Sequence, residues 1–248
     1  MADLDTSKIN QFLAECTDDE RRLLFKELRA EYQIHELEHA FGAPAEIILE
    51  AIHRAPELTR RMLKGVIADA AFAQYVVPLL ATHGWKDVTP QGNFSYDYAL
   101  EDAQGVITVQ VKLQRSEAGQ PVITTGTKFG LAKDMFMVES QRTRGGNKRV
   151  PKGSTAEAKA KKTRPYVYSE FQVLAVALRP STKDWSSFRY TVANWLLPAA
   201  NPNEIGTYQP VAMRPNDDWT DDFATVAKWV RSDTKKTIVN KADLPSTS

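Results

Sequence analysis

Apolar positions along this chain change their period, and the change divides it. From Ser7 to Arg61 they recur at helical spacing: Leu23, Leu24, Leu28 and Tyr32 follow a Thr17-Asp18-Asp19-Glu20 capping box. A second helix is expected through Ile34, Leu37 and Phe41, with Gly42 as its stop. Pro44 then opens a third helix carrying Ile47, Ile48, Ala51 and Ile52. A long helix is expected from Arg60 to His83, with Met62, Val66, Ala70, Ala73, Val77 and Leu80 as its buried stripe and Asp69 at the stripe's edge.

Beyond Gly84 the period falls to two. Asn93 to Leu100 alternates with Phe94, Tyr96, Tyr98 and Leu100 on one face and Ser95, Asp97 and Ala99 on the other. After a polar turn closing on Gly105, a second run puts Ile107, Val109, Val111 and Leu113 on one side. Thr108, Gln110, Lys112 and Gln114 take the opposite side. Short strands are expected at Lys86, Val122 to Thr125, Phe136 to Glu139 and Phe188 to Val192. Tyr166 to Leu178 is expected as a strand, with Phe171 to Leu178 apolar enough to be buried on both faces. A last amphipathic helix runs from Thr220 to Arg231, and the tail 241–248 is expected to be disordered. The pattern is α/β (α+β): a helical N-terminal subdomain, 1–60, then a domain over 61–240 with a mixed central sheet flanked by helices.

Composition narrows the class only a little. Hydrophobic residues make up 42% and charged residues 25% of 248 residues, and the net charge is +1. The distribution of that charge is more informative. Met1 to Arg61 holds thirteen acids and eight bases, a net of −5, whereas Arg142 to Arg164 holds nine bases and one acid, a net of +8. A chain of near-zero total charge that grips a polyanion has to concentrate its bases in this way. Cys16 is the single cysteine, so no disulfide forms within the chain, and a reducing, cytoplasmic setting is expected. No uncharged apolar run approaches membrane-spanning length, so no membrane partner is expected. The four histidines, His35, His39, His53 and His83, lack the cysteine or histidine partners of a zinc site, and no phosphate loop or dinucleotide fingerprint is present.

The chemistry concentrates on the hairpin. Asp97, Gln110 and Lys112 project to one side of the paired strands. An acid, a neutral oxygen ligand and an ammonium group suit a Mg²⁺-dependent phosphodiester hydrolase. Asp69, a carboxylate at the edge of an apolar stripe, is costly there unless paired or bound to a metal.

Asp97 followed by Gln110-Val111-Lys112 resembles the PD-(D/E)xK nuclease superfamily, with Gln110 where the family usually carries an acid and Tyr96 where it usually carries proline. The resemblance covers Arg60 to Val192 in outline and implies a restriction-endonuclease-like fold. It also implies a site in which Asp97, Gln110, the Val111 carbonyl and Asp69 bind Mg²⁺, with Lys112 orienting the attacking water. Asp69 matches the acid that many of these nucleases place on the helix before the hairpin. The implied partner is double-stranded DNA, held by Arg115, Lys128, Arg142, Arg144, Lys148, Arg149, Lys152 and Arg164. The implied protein is a homodimeric Type II restriction enzyme. A modification-dependent or repair nuclease on the same fold is the alternative enzyme. A different class, a non-catalytic DNA-binding protein, would use Leu37 to Ile48, which resembles a helix-turn-helix. Glu38 departs from that motif's small residue, and Glu46 and Glu50 repel phosphate, so a helical cap or dimerisation module is the better account of the N-terminal region.

Overall fold

The computed structural model describes residues 6–32, 35–92, 94–126, 130–141 and 165–238. The chain divides into two units, Met1–Arg61 and Met62–Ser248.

The first unit is helical: α1 (Thr6–Glu15), α2 (Asp18–Glu31), α3 (Leu37–Phe41), α4 (Ala45–Arg54) and the start of α5 (Glu57–Ala71). The Thr17 hydroxyl accepts from the Glu20 N–H while the Glu20 carboxylate accepts from the Thr17 N–H, completing the capping box. Gly42 ends α3 in the left-handed region at φ 59°, which glycine adopts without Cβ strain. Glu38, the residue at odds with a helix-turn-helix, is 7% exposed and holds this unit together. Its carboxylate accepts from Arg29 Nη2 and from the Ala45 N–H, both at 2.6 Å, and so caps α4. Glu46 accepts from the same guanidinium at 3.1 Å. Glu46, expected to repel phosphate, is thus part of an internal ion pair.

The second unit is mixed α+β, a mostly antiparallel central sheet flanked by helices. Among the described residues its five strands run in the order β1 (Lys86–Asp87), β2 (Tyr98–Asp102), β3 (Gly105–Leu113), β7 (Val173–Ala177), β8 (Phe188–Val192). Within this sheet only the β3–β7 pairing is parallel. The β2–β3 hairpin turns through Ala103 and Gln104 into Gly105, whose φ of 115° excludes most side chains. β7 lies inside the sheet, and all five of its residues are buried, as its unbroken apolar run requires. The strand is shorter than Tyr166 to Leu178 suggests, because 166–172 is taken up by a loop and isolated bridges. Outside the central sheet are two short pairs, β4 (Ser116–Glu117) with β5 (Gln120–Pro121), and β6 (Phe136–Glu139) with β9 (Tyr208–Val211). The expected strand at 122–125 is reduced to a single bridge, Ile123 to Phe136. The C-terminal helix, Phe223–Arg231, is capped by Asp222 and packs Phe223 edge-on against Trp85 and Tyr190.

The long helix departs from expectation in two ways. Its buried residues are Ala68, Ala71, Phe72, Val76 and Leu80, while Met62 and Val66 are 52% and 62% exposed. Apolar residues occur on nearly every side of this helix, so its period alone cannot select a face. Phe72 selects it, its ring tilted against Tyr98 (4.8 Å between ring centroids) and edge-on to Phe188 (5.3 Å). A π turn, Phe72–Val76, joins α5 to α6 (Val77–Thr82), with the Val77 N–H reaching Phe72 O. Pro78 has no N–H for the carbonyl four residues back and would clash with it, and the wider turn before it relieves that conflict. The second departure concerns length. Glu57–Thr82 forms one run of 26 residues with an 18-residue window of mean hydropathy 1.4, long and apolar enough to cross a membrane. Phe72, Val76 and Leu80 of this run enter the sheet's core, and 28% of the window is buried.

The tail expected to be disordered and the basic segment from Arg142 to Arg164 lie outside the described residues.

Candidate metal and phosphodiester site

The site forms where β2 begins and β3 passes behind it. The register Tyr98↔Val109, continued by one residue, sets Asp97 directly opposite Gln110. Their side chains meet: Gln110 Nε2 donates to Asp97 Oδ2. The same oxygen accepts the Val111 N–H at 2.7 Å, so the carboxylate takes over a main-chain donor of β3 just beyond the end of β2. Gln110 is 3% exposed, and its amide also lies 3.3 Å from Val111 O. Lys112, two residues on and so on the Gln110 face, is half-buried, and its ammonium donates to the Tyr166 hydroxyl at 3.2 Å. Its Nζ also lies 5.3 Å from the centre of the Tyr166 ring.

Asp69 is positioned from the helix. Phe72 fixes the helix on the sheet, and one turn earlier the Tyr98 hydroxyl donates to the main-chain carbonyl of Asp69 at 3.0 Å. Asp69 Oδ1 is buried and has no hydrogen-bond partner.

Electrostatics tie these groups together. Burial pushes the Asp97 carboxyl above the usual carboxylate range; the Val111 N–H and the Lys112 charge oppose the rise, and the Asp69 charge adds to it. Burial likewise pushes Asp69 up, with Tyr98 and Lys112 partly opposing it. The Tyr98 hydroxyl is driven far above the phenol range, by burial first and then by Asp69. Two carboxylates that burial disfavours, one raised by the other and both held down by one ammonium, form a site short of positive charge.

That shortage is the test of fit for a divalent cation. A buried carboxylate oxygen without a partner, two acids and neutral oxygens suit a hard cation such as Mg²⁺. Among the described residues there is no group of three or more His, Cys, Asp or Glu, so the site relies on Gln110 and a carbonyl beside its two acids. Gln110 presents its NH₂ to Asp97; turning the amide over would present its oxygen instead.

The remaining sequence candidates fare differently. Arg115, expected to hold DNA, has its guanidinium 3.2 Å from both Glu117 and Glu139 and 5.5 Å from the centre of the Tyr208 ring. Lys128, Arg142, Arg144, Lys148, Arg149, Lys152 and Arg164 lie outside the described residues. Two site residues escape the sequence pattern, Tyr166 and Tyr98. Strand alternation puts Tyr98 on the face opposite Asp97, which hides its reach to Asp69. Tyr166 comes to Lys112 across 54 positions, and nothing in the local pattern gives the parallel β3–β7 register that brings it there.

No known protein-family model matches the chain, and no curated protein matches it. Among solved structures the chain is similar to a bacterial homing endonuclease, with 19% identity over 63% of this chain and 81% of that one. The TM-score is 0.36, a likeness too low to carry an argument.

Proposed function

We propose that this chain is a Mg²⁺-dependent endonuclease that hydrolyses phosphodiester bonds of double-stranded DNA, of the Type II restriction kind and acting as a homodimer. The observation that carries the reading is the cross-strand pair Asp97–Gln110, with Lys112 next on the same face and Asp69 within electrostatic reach. Asp97, Asp69, the Gln110 amide oxygen and the Val111 carbonyl would hold the cation. When bound, it supplies charge neutralisation at the phosphate and polarises the scissile bond.

The chain's own residues do the rest. Lys112 is held by the Tyr166 hydroxyl at 3.2 Å, which limits its rotamers and keeps an ammonium beside two carboxylates. From there it orients the attacking water and balances charge growing on the phosphate. The Val111 N–H fixes the Asp97 carboxylate, so the ligand is oriented before the cation arrives. The segment from Arg142 to Arg164, with its net of +8, would hold the DNA backbone.

Plasmid cleavage tests the reading directly. Purified protein with Mg²⁺ should cut methylated or unmethylated plasmid at defined sites, chelation should stop it, and sequencing the ends gives site and stagger. Cleavage that survives chelation, or that persists in Asp97→Ala, would dismiss it. A parallel titration tests the basic segment: Lys148, Arg149 and Lys152 changed together to Ala should lower the log–log salt slope of DNA binding by roughly 0.9 per lost phosphate contact.

A further inference from the structure

We propose that Phe94, backed by Tyr96, is a stacking platform for one nucleobase lying outside the duplex stack beside the cleaved phosphodiester. It rests on the nuclease reading, which puts that phosphodiester at Asp97 and Lys112, and it adds the form of DNA that the site takes.

The platform is built from the chain just ahead of Asp97. Phe94 is 45% exposed. Its ring lies against that of Tyr96, with centroids 5.5 Å apart and planes inclined by 20°. Tyr96 is half-buried and packs against the apolar core of the second unit. Gly92 closes in on the same ring: a Cβ there would come within 3.1 Å of it. Between the two aromatics, the Ser95 hydroxyl donates to the Glu170 carbonyl at 3.0 Å, and just beyond them the Asp97 N–H donates to Val109 O at 2.9 Å. A single exposed aromatic is ordinary on a protein surface. Phe94 differs in being stacked on an anchored neighbour, in a segment held at Ser95 and at Asp97, so little ordering is left to do when a ligand arrives.

Position names the ligand. Phe94 and Asp97 are three residues apart, so their Cα atoms are separated by at most about 11 Å. A second tie runs through space. Glu170, which takes the Ser95 hydroxyl, lies four residues after Tyr166, whose own hydroxyl holds the Lys112 ammonium at 3.2 Å. A nucleotide whose phosphate sits at Asp97 and Lys112 carries its base over a comparable distance. A neutral aromatic face stacks with any base and needs no hydrogen-bond code. Inside a duplex both faces of a base are covered by its neighbours, so the ring takes only a base that has left the stack. Extrusion costs least where that base is mismatched or single-stranded. The substrate class is therefore DNA with an unpaired or extruded base next to the cut.

Binding in chelator tests the platform without cleavage. Affinities for an oligothymidine strand and for a fully paired duplex of equal length are compared for wild type, Phe94→Ala and Phe94→Trp. Phe94→Ala should bind the strand roughly 5- to 150-fold more weakly, the range for one lost base–aromatic stack, and should bind the paired duplex as the wild type does. Phe94→Trp should bind the strand at least as tightly as the wild type. Irradiating the unmodified chain with oligothymidine that carries 5-iododeoxyuridine should attach the strand at Phe94 or Tyr96. Unchanged strand affinity in Phe94→Ala overturns the proposal. So does an equal loss on strand and duplex, or a loss that Phe94→Trp shares, because the ring would then only support the fold. Attachment solely at other residues overturns it with no variant involved. The nuclease reading fails separately. A chain that cuts no DNA with Mg²⁺ yet shows these differences keeps the platform and loses the reaction, and one that cuts while Phe94→Ala binds the strand normally loses only the platform.

Discussion

The two units use buried polar groups in opposite ways. In Met62–Ser248 the interior is apolar, built on Val173–Ala177, Phe72, Trp195 and Trp219, and the inward-facing acid–amide pair of Asp97 and Gln110 sits at the proposed site. In Met1–Arg61 the one buried described residue is itself an acid, Glu38. What separates them is completion. Glu38 is met by Arg29 at 2.6 Å and by the Ala45 N–H at 2.6 Å, so its charge is balanced and it acts as a clamp. Asp69 has a buried oxygen with no partner and a neighbouring acid in Asp97. A buried carboxylate whose bonds are all made belongs to architecture; one left short of positive charge is ready for a ligand.

The largest expected effect breaks that contrast from the catalytic side. Lys112→Ala and Asp97→Ala should each lower single-turnover cleavage by about 10²–10⁴-fold, the scale of losing a positioned catalytic group. DNA binding and dimer mass should stay as in the wild type. Near wild-type cleavage by either variant would remove the hairpin from the mechanism. Next comes the architectural acid. Glu38→Ala leaves the Arg29 guanidinium with Glu46 as its one carboxylate partner and uncaps α4. Hydrogen exchange should speed up across α2 to α4 while β3 and β7 keep their protection. Uniform acceleration in both units would show that Glu38 is not a local clamp.

The β2–β3 hairpin of the second unit is legible in the sequence because its strands alternate cleanly around a definite turn. The Ala103-Gln104-Gly105 turn fixes the hairpin register, and register alone is enough to set Asp97 against Gln110. The face of the long helix is not legible, because apolar residues surround it. Phe72 chooses that face through contacts with Tyr98 and Phe188, which are 26 and 116 positions away. Tyr166 is invisible for a related reason: parallel pairing leaves no local trace, and the β3–β7 crossover spans more than fifty residues. The charge of Arg115 is legible, whereas its pairing with Glu139 is not, because Glu139 reaches it from a different strand. In the first unit, helix limits follow from the Thr17 cap and Gly42, but periodicity does not say what the apolar stripes face.

A subtler effect should sharpen the account of the incomplete charge. If Asp69 and Gln110 serve one ion, Gln110→Glu keeps activity and lowers the Mg²⁺ concentration needed, because a third carboxylate attracts a hard cation more strongly. Asp69→Asn does the reverse, by on the order of tenfold or more. The double variant should recover part of the loss, since charges that sum at one ion compensate. Metal titrations of cleavage decide it: an unmoved Mg²⁺ requirement in Asp69→Asn, or a double variant that recovers nothing, would make Asp69 an ordinary helix-edge residue.

The smallest effect is on stability without metal, and its sign is opposite to that of most site mutations. Burial raises the folded-state pKa of Asp97 above its unfolded value, so the folded protein holds that proton more tightly. Stability from this group therefore falls as pH rises from the unfolded carboxylate value through the folded one. Above both, the ionised side chain remains a constant burden. The amide introduced by Asp97→Asn keeps an oxygen for the Val111 N–H and carries no charge to bury. In chelator at neutral pH the variant should melt a few degrees above the wild type, and the gap should close as pH falls below the unfolded value. Added Mg²⁺ should then raise the wild type alone, reversing the order. A wild type more stable than Asp97→Asn in chelator at neutral pH would mean that the Asp97 charge is already balanced, as that of Glu38 is, and would erase the distinction between the two acids.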